Sequence, residues 1–175
     1  MNIIYKKALP AHIPQIYEIE KLCFPDPWSV SSFIKEFEDE KARYFIAEVQ
    51  NSIQNTGEHS IADSAAETQT GAVAGYCGYW SIVGEAHITN IAVHPDNRGR
   101  GVGAGLIGAM LDDIAELGHT AATLEVREDN YVAIRLYERF GFEQYGRRKK
   151  YYTREKKDAL IMWKKFGQSA IIYKP

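Results

Sequence analysis

The run Asn97-Arg98-Gly99-Arg100-Gly101-Val102-Gly103-Ala104-Gly105 constrains this chain more than any other stretch. It opens a segment in which Val102, Leu106, Met110, Ile114 and Leu117 recur at helical spacing, closed by Gly118. Each glycine inside a helix costs about 1 kcal/mol relative to alanine. The arginines stand where the helix dipole disfavours cations by about 0.3–1 kcal/mol each. Both costs have a reason if an anion docks at the helix start. Bare glycines let backbone N–H groups approach phosphate oxygens, and the arginines pair with the added charge. The plainer alternative is a tight turn with close packing of the helix on a sheet.

Two phosphate ligands fit poorly. A nucleotide P-loop needs a Gly-Lys-Ser/Thr ending, which is absent. Gly99, Gly101 and Ala104 satisfy the dinucleotide pattern G-x-G-x-x-A, with Glu125 near the ribose-binding spacing. That fingerprint should follow its strand directly, yet His94 to Arg98 intervene after a strand ending at Val93.

The rest of the chain predicts one mixed α/β (α+β) layer. Ile3–Ala8 reads as a strand, and Pro10 or Pro14 starts a helix carrying Ile13, Ile16, Ile19 and Leu22. Phe24-Pro25-Asp26-Pro27-Trp28 breaks it, and Ser29 caps the next helix. Tyr44–Val49 alternates as a strand. Gly71–Val83 and Glu85–Val93 read as a hairpin turning at Val83-Gly84-Glu85. Ala121–Arg127 is a strand, Asn130–Phe140 a helix, Phe142 onward a strand, and Ala159–Phe166 the last strand. Between them, residues 50–70 are polar and poor in bulky apolar side chains, as expected of a long loop or a locally disordered insertion. One domain is expected over 1–166, with 167–175 as a tail.

Lys plus Arg number 21 and Asp plus Glu 23, a net charge of −2, which disfavours a whole-surface binder of nucleic acid or membrane. Cys23 and Cys77 are the two cysteines, and no signal-peptide h-region opens the chain. The expectation is a soluble cytoplasmic protein. The cysteines lack identifiable catalytic partners, and His87 and His94 are too isolated for a metal site. No metal is expected.

The segment Ile88-Thr89-Asn90-Ile91-Ala92-Val93-His94-Pro95, followed by Arg98-Gly99-Arg100-Gly101-Val102-Gly103, resembles the acetyl-CoA motif of the GNAT N-acetyltransferases. Arg98, Gly101 and Gly103 match that family's Q/R-x-x-G-x-G/A signature. Leu124-Glu125-Val126-Arg127 with Asn130, then Leu136-Tyr137-Glu138 and Phe140-Gly141-Phe142, resemble its second motif. The resemblance spans about Ile3 to Phe166. It implies a central, mostly antiparallel sheet with helices on both faces, and acetyl-CoA as co-substrate.

Within the family the chain is similar to members that acetylate the N-terminal alanine of a small-subunit ribosomal protein. Phe24-Pro25-Asp26-Pro27-Trp28-Ser29 and the Tyr151-Tyr152 hairpin carry that likeness. Thr153 departs from the proline usual after the tyrosines, and the 50–70 insertion is longer than expected. The same fold could instead serve a lysine or small-amine acceptor, or a CoA-binding module without catalysis.

Alternation along Ala121–Arg127 puts Glu125 on the polar face of its strand, and the resemblance makes it the general base, directly or through a water. Tyr137 is implied as proton donor or hydrogen-bond partner of the departing thiolate, against a plain core role beside Ile134 and Phe140. Backbone N–H groups near Ile91, Ala92 and Val93 are implied to polarise the thioester carbonyl. Arg98, Gly99, Arg100, Gly101, Val102, Gly103 and Asn130 are implied at the cofactor. Trp28, Tyr151 and Tyr152 are implied at the acceptor groove. The basic run Arg147–Lys150 reads either as a solvated hairpin face or as a surface for an acidic partner or RNA.

Overall fold

A computed structural model describes residues 2–50 and 71–167. The expected insertion beyond Gln50 and the tail beyond Gly167 lie outside the described residues.

Seven strands are found among the described residues: β1 (Asn2–Lys7), β2 (Ala42–Gln50), β3 (Ala72–Ile82), β4 (Glu85–Val93), β5 (Ala121–Arg127), β6 (Glu143–Tyr152) and β7 (Lys157–Lys165). They form one sheet in the order β1-β2-β3-β4-β5-β7-β6. Only β4 and β5 run parallel; every other neighbouring pair is antiparallel.

Helices α1 (Ile13–Cys23) and α2 (Val30–Glu38) cover one face. They bury Ile13, Ile16, Ile19 and Phe33 against Tyr44, Ile46, Val73 and Tyr76. Helices α3 (Val102–Glu116) and α4 (Tyr131–Arg139) cover the other. There Leu106, Ile107, Met110 and Ile114 pack on Phe45, Ala47, Ala74 and Cys77. Phe45 and Ala47 thus face α3 while Tyr44 and Ile46 face α1, so β2 is apolar on both sides, as a sheet covered on both faces requires.

The helix starts follow their sequence signals with one refinement. Pro10 opens a single 3-10 turn, Pro10–His12, and α1 proper begins at Ile13 with Pro14 in its first turn. Ser29 Oγ accepts from the Ser32 N–H at 3.1 Å, and Asn130 Oδ1 from the Ala133 N–H at 3.2 Å, so both residues cap as their type suggests.

Two buried carboxylates brace the two layers. Asp113 of α3 takes the Arg43 guanidinium at 2.7 and 3.1 Å, the Tyr79 hydroxyl at 2.6 Å and Lys7 at 3.1 Å. On the opposite face, Glu20 of α1 is 1% exposed and accepts from the Tyr76 hydroxyl and, at 3.0 Å, from the Trp28 N–H. Burial raises the Glu20 carboxyl above its ordinary value, opposed by those two hydrogen bonds.

The sheet is incomplete at its centre. β4 and β5 pair only from Glu85–Ile88 to Ala121–Leu124. Beyond that, β4 pairs only with β3, and β5 only with β7. At the point of divergence β4 carries an extra residue: Ile88 lies opposite Tyr79 and Asn90 opposite Gly78, leaving Thr89 unopposed. The bulge reverses the strand's parity. Ile88 packs in the α3-side core, and so do Ile91 and Val93, while Ala92 packs on the α1 side. No helix among the described residues is long and apolar enough to cross a membrane.

Candidate active site

A cleft of about 380 Å³ occupies the gap between the diverging strands. That volume falls in the range of small-molecule sites. Its walls come from four places: Asn90 and Ile91 of β4, Glu125 and Arg127 of β5, the α1–α2 loop at Phe24–Asp26, and the β6–β7 hairpin at Tyr151–Glu155. Tyr137 of α4 and Asn130, the residue that caps that helix, close its far side.

The gap brings opposite faces of the sheet together. Leu124 and Val126 lie in the α3-side core, so Glu125 between them points to the α1 side. Tyr137 packs against the α3-side core, its ring 6.0 Å from that of Phe142. Both nevertheless line one cleft, because no strand pairing closes the space between β4 and β5 there. Glu125 Oε1 lies 3.2 Å from Arg148 of β6, with the Glu125 side chain 28% exposed. Burial pushes the Tyr137 phenol well above its ordinary value, helped by the neighbouring Tyr152 and Cys77. Tyr137 therefore stays neutral.

The unpaired edge of β4 also presents backbone donors. The His94 N–H bonds the Ala74 carbonyl on β3 at 2.9 Å. Alternation then turns the Ile91 and Val93 N–H groups away from β3, towards the gap. Ala92 sends its own side chain into the α1-side core.

The glycine run divides into distinct tasks. Gly99 and Gly101 adopt φ of +72° and +81°, and a Cβ at either would meet nothing within 4 Å. They are left-handed positions in an open turn leading into α3. The first helical bond runs from the Gly105 N–H to the Gly101 carbonyl at 3.0 Å, so the N–H groups of Val102, Gly103 and Ala104 have no helical acceptor. A Cβ at Gly103 would make ordinary contacts with Leu136 and Val93 at 3.5 and 3.6 Å, so either small residue of the family signature fits. Gly105 differs: a Cβ there would lie 2.0 Å from the Tyr5 ring. Close helix–sheet packing therefore explains Gly105, and backbone conformation explains Gly99 and Gly101.

Arg98 turns back onto the protein. Its Nε donates to the Val93 carbonyl at 3.1 Å and its Nη2 reaches Cys23 Sγ at 3.2 Å, tying the glycine turn to the end of β4. Arg100 is exposed at the helix start.

Of the residues expected at the acceptor groove, Tyr151 and Tyr152 line the cleft, their rings 5.3 Å apart and nearly perpendicular. The structure does not bring Trp28 there. Its ring packs 5.8 Å from Phe33, and its loop reaches the cleft through Phe24, Pro25 and Asp26 instead. Arg154 pairs with Asp26 at 2.5 Å and donates to the Pro25 carbonyl at 3.3 Å, joining hairpin to loop across the cleft. Asn90, Arg148 and Glu20 escaped the sequence reading. Asn90 stood there only within the motif Ile88–Pro95, and Arg148 only within the basic run Arg147–Lys150.

This architecture defines an acyltransferase class, and the chain belongs to the acetyltransferase (GNAT) family, whose model matches residues 13–142. Acetyl-CoA is the co-substrate of that family. The chain is 32% identical over 152 residues to the [ribosomal protein bS18]-alanine N-acetyltransferase of Escherichia coli (strain K12), covering 86% of this chain and 88% of the relative. It is 37% identical over 152 residues to a Bacillus subtilis (strain 168) protein proposed to have the same activity, covering 86% and 87%. The crystal structure of the Escherichia coli ribosomal-protein-S18-alanine N-acetyltransferase superposes with a TM-score of 0.79 at 26% identity, over 99% of this chain and 100% of that one.

Proposed function

We propose that this protein is an N-terminal acetyltransferase that moves the acetyl group of acetyl-CoA onto the α-amine of an N-terminal alanine, its acceptor a small-subunit ribosomal protein of the bS18 type. This is the activity implied by the resemblance to RimI, the ribosomal-protein alanine N-acetyltransferase, and by the relatives above. The observation that carries it is the meeting of Glu125 and Tyr137 in one cleft from opposite faces of the sheet.

The cradle for acetyl-CoA is the open turn at Gly99 and Gly101, with the free N–H groups of Val102 and Gly103 receiving phosphate oxygens. Arg100 adds positive charge, Arg98 holds the turn to β4, and Asn130 caps α4 beside the thioester end. The Ile91 and Val93 N–H groups polarise the thioester carbonyl. The acceptor chain enters between the α1–α2 loop and the Tyr151–Tyr152 hairpin.

An α-amine has a pKa of about 7.7–8.0, so a carboxylate suffices as base. The amine nitrogen attacks the thioester carbon and forms the C–N bond, while its proton passes to Glu125. The C–S bond then breaks. A phenol raised by burial donates a hydrogen bond to the leaving thiolate more readily than it surrenders its proton. Tyr137 thus stabilises the thiolate through a hydrogen bond while the charge stays on sulfur, and coenzyme A gains its proton from water. Glu125 returns the amine's proton to solvent.

The reading includes one catalytic domain over 1–166 working in the cytoplasm. Incubation of the purified protein with acetyl-CoA and an alanine-initiated bS18 peptide tests it. Mass spectrometry should find one acetyl group on the α-amine, with matching thiol release. Acetylation confined to lysine side chains, or no transfer at all, would overturn it.

A further inference from the structure

Asn90 is a polar group of the cleft that the reaction steps above do not use. It is 8% exposed, and its Oδ1 is one of three buried side-chain polar atoms without a hydrogen-bond partner among the described residues. The other two, on His12 and His119, do not line the cleft; Asn90 does. A buried amide oxygen without a partner is a standing cost to stability, and a ligand explains why it persists. The β4 bulge determines where this amide points. Thr89 is the extra residue, so Asn90 shares its side of the sheet with Ala92, on the α1 face. Glu125 points to the same face from β5, where the two strands separate.

We infer that Asn90 is the positioning residue for the acceptor's primary amine, accepting one of its N–H groups at Oδ1. The inference rests on the amine-acetylating role proposed above. A neutral primary amine carries two N–H bonds and one lone pair. With one N–H on Asn90 and the other on Glu125, rotation about the Cα–N bond stops and the lone pair is aimed at the thioester carbon. A secondary amine has a single N–H and satisfies only one of the two acceptors. The site is therefore built for primary amines, and the bulge is the device that presents it.

The test compares wild type with Asn90→Ala on two peptides, one beginning with alanine and one with N-methylalanine. Asn90→Ala should lower kcat/KM for the alanine peptide about 10- to 100-fold, the worth of one hydrogen bond to a charged or reacting group. Acetyl-CoA affinity by calorimetry should stay unchanged, and Tm should hold or rise, since the variant removes a buried oxygen that has no hydrogen-bond partner. N-methylation should penalise wild type heavily and the variant at least tenfold less. A kcat/KM within threefold of wild type would overturn the assignment, as would a loss accompanied by lower Tm or weaker acetyl-CoA binding. Failure of the underlying reading looks different: wild type itself would not acetylate the alanine peptide. The same comparison then runs on whichever primary amine wild type accepts, with the same outcomes deciding it.

Discussion

Glu125 reaches the cleft because its neighbours Leu124 and Val126 are committed to the core. Replacing it with glutamine keeps the size and removes the carboxylate proposed as base. Turnover of Glu125→Gln should fall about 10²- to 10⁴-fold while acetyl-CoA binding survives, as steady-state kinetics and calorimetry would show. Full activity would mean another base. A second residue-scale prediction concerns Asp113. Burial raises its carboxyl, but bonds from Arg43, Tyr79 and Lys7 outweigh that and hold it down at about 2, from 3.8. Its folded value lies below its unfolded one, so its contribution is present above about pH 4 and is lost as pH falls towards 2. The loss should amount to about 2 kcal/mol, and Asp113→Asn should flatten this part of the denaturation profile.

At the scale of the element, α3 shows why a glycine count misleads. The sequence predicts an anion cradle at Gly99 and Gly101, and the positive φ at both shows an open left-handed turn. Gly105 belonged to the same run, yet its neighbour is Tyr5, which lies far away along the chain on β1. No local pattern carries that contact. The two kinds of glycine should separate by experiment. Gly101→Glu should abolish acetyl-CoA binding in calorimetry, because it strains a left-handed residue and places a carboxylate over the cradle. Gly105→Val should leave that affinity intact and cost about 1–3 kcal/mol in urea denaturation through overpacking against Tyr5. Loss of both properties in both variants would refute the division. Trp28 teaches the same lesson, since its loop was recognisable but its ring turned to Phe33 rather than to the cleft.

For the whole molecule, the cleft exists because two strands pair for four residues and then part. Ligand in that gap touches both layers of the fold, so its binding should raise the stability of the entire unit. At acetyl-CoA near 100 times its dissociation constant the gain is about 2.7 kcal/mol, roughly 5–10 °C in Tm for a chain this size. Thermal denaturation should show that shift in wild type and in Asn90→Ala, and no shift in Gly101→Glu. The near-neutral net charge also conceals local order. Arg148 meets Glu125, Arg147 meets Glu128 and Asp158, and Arg154 meets Asp26, so much of the hairpin's positive charge is paired with carboxylates.

The sequence by itself determined the helices, their caps, the strand that bears Glu125 and the glycine turn, because each depends on residues a few positions apart. It carried the family as well, through two motifs in order. Tertiary structure alone decided which side chains share the cleft. A bulge at Thr89 reverses the parity of β4, and an unmade pairing with β5 opens the sheet. Both are relations between strands distant in the chain, and they turn Asn90 towards the same space as Glu125.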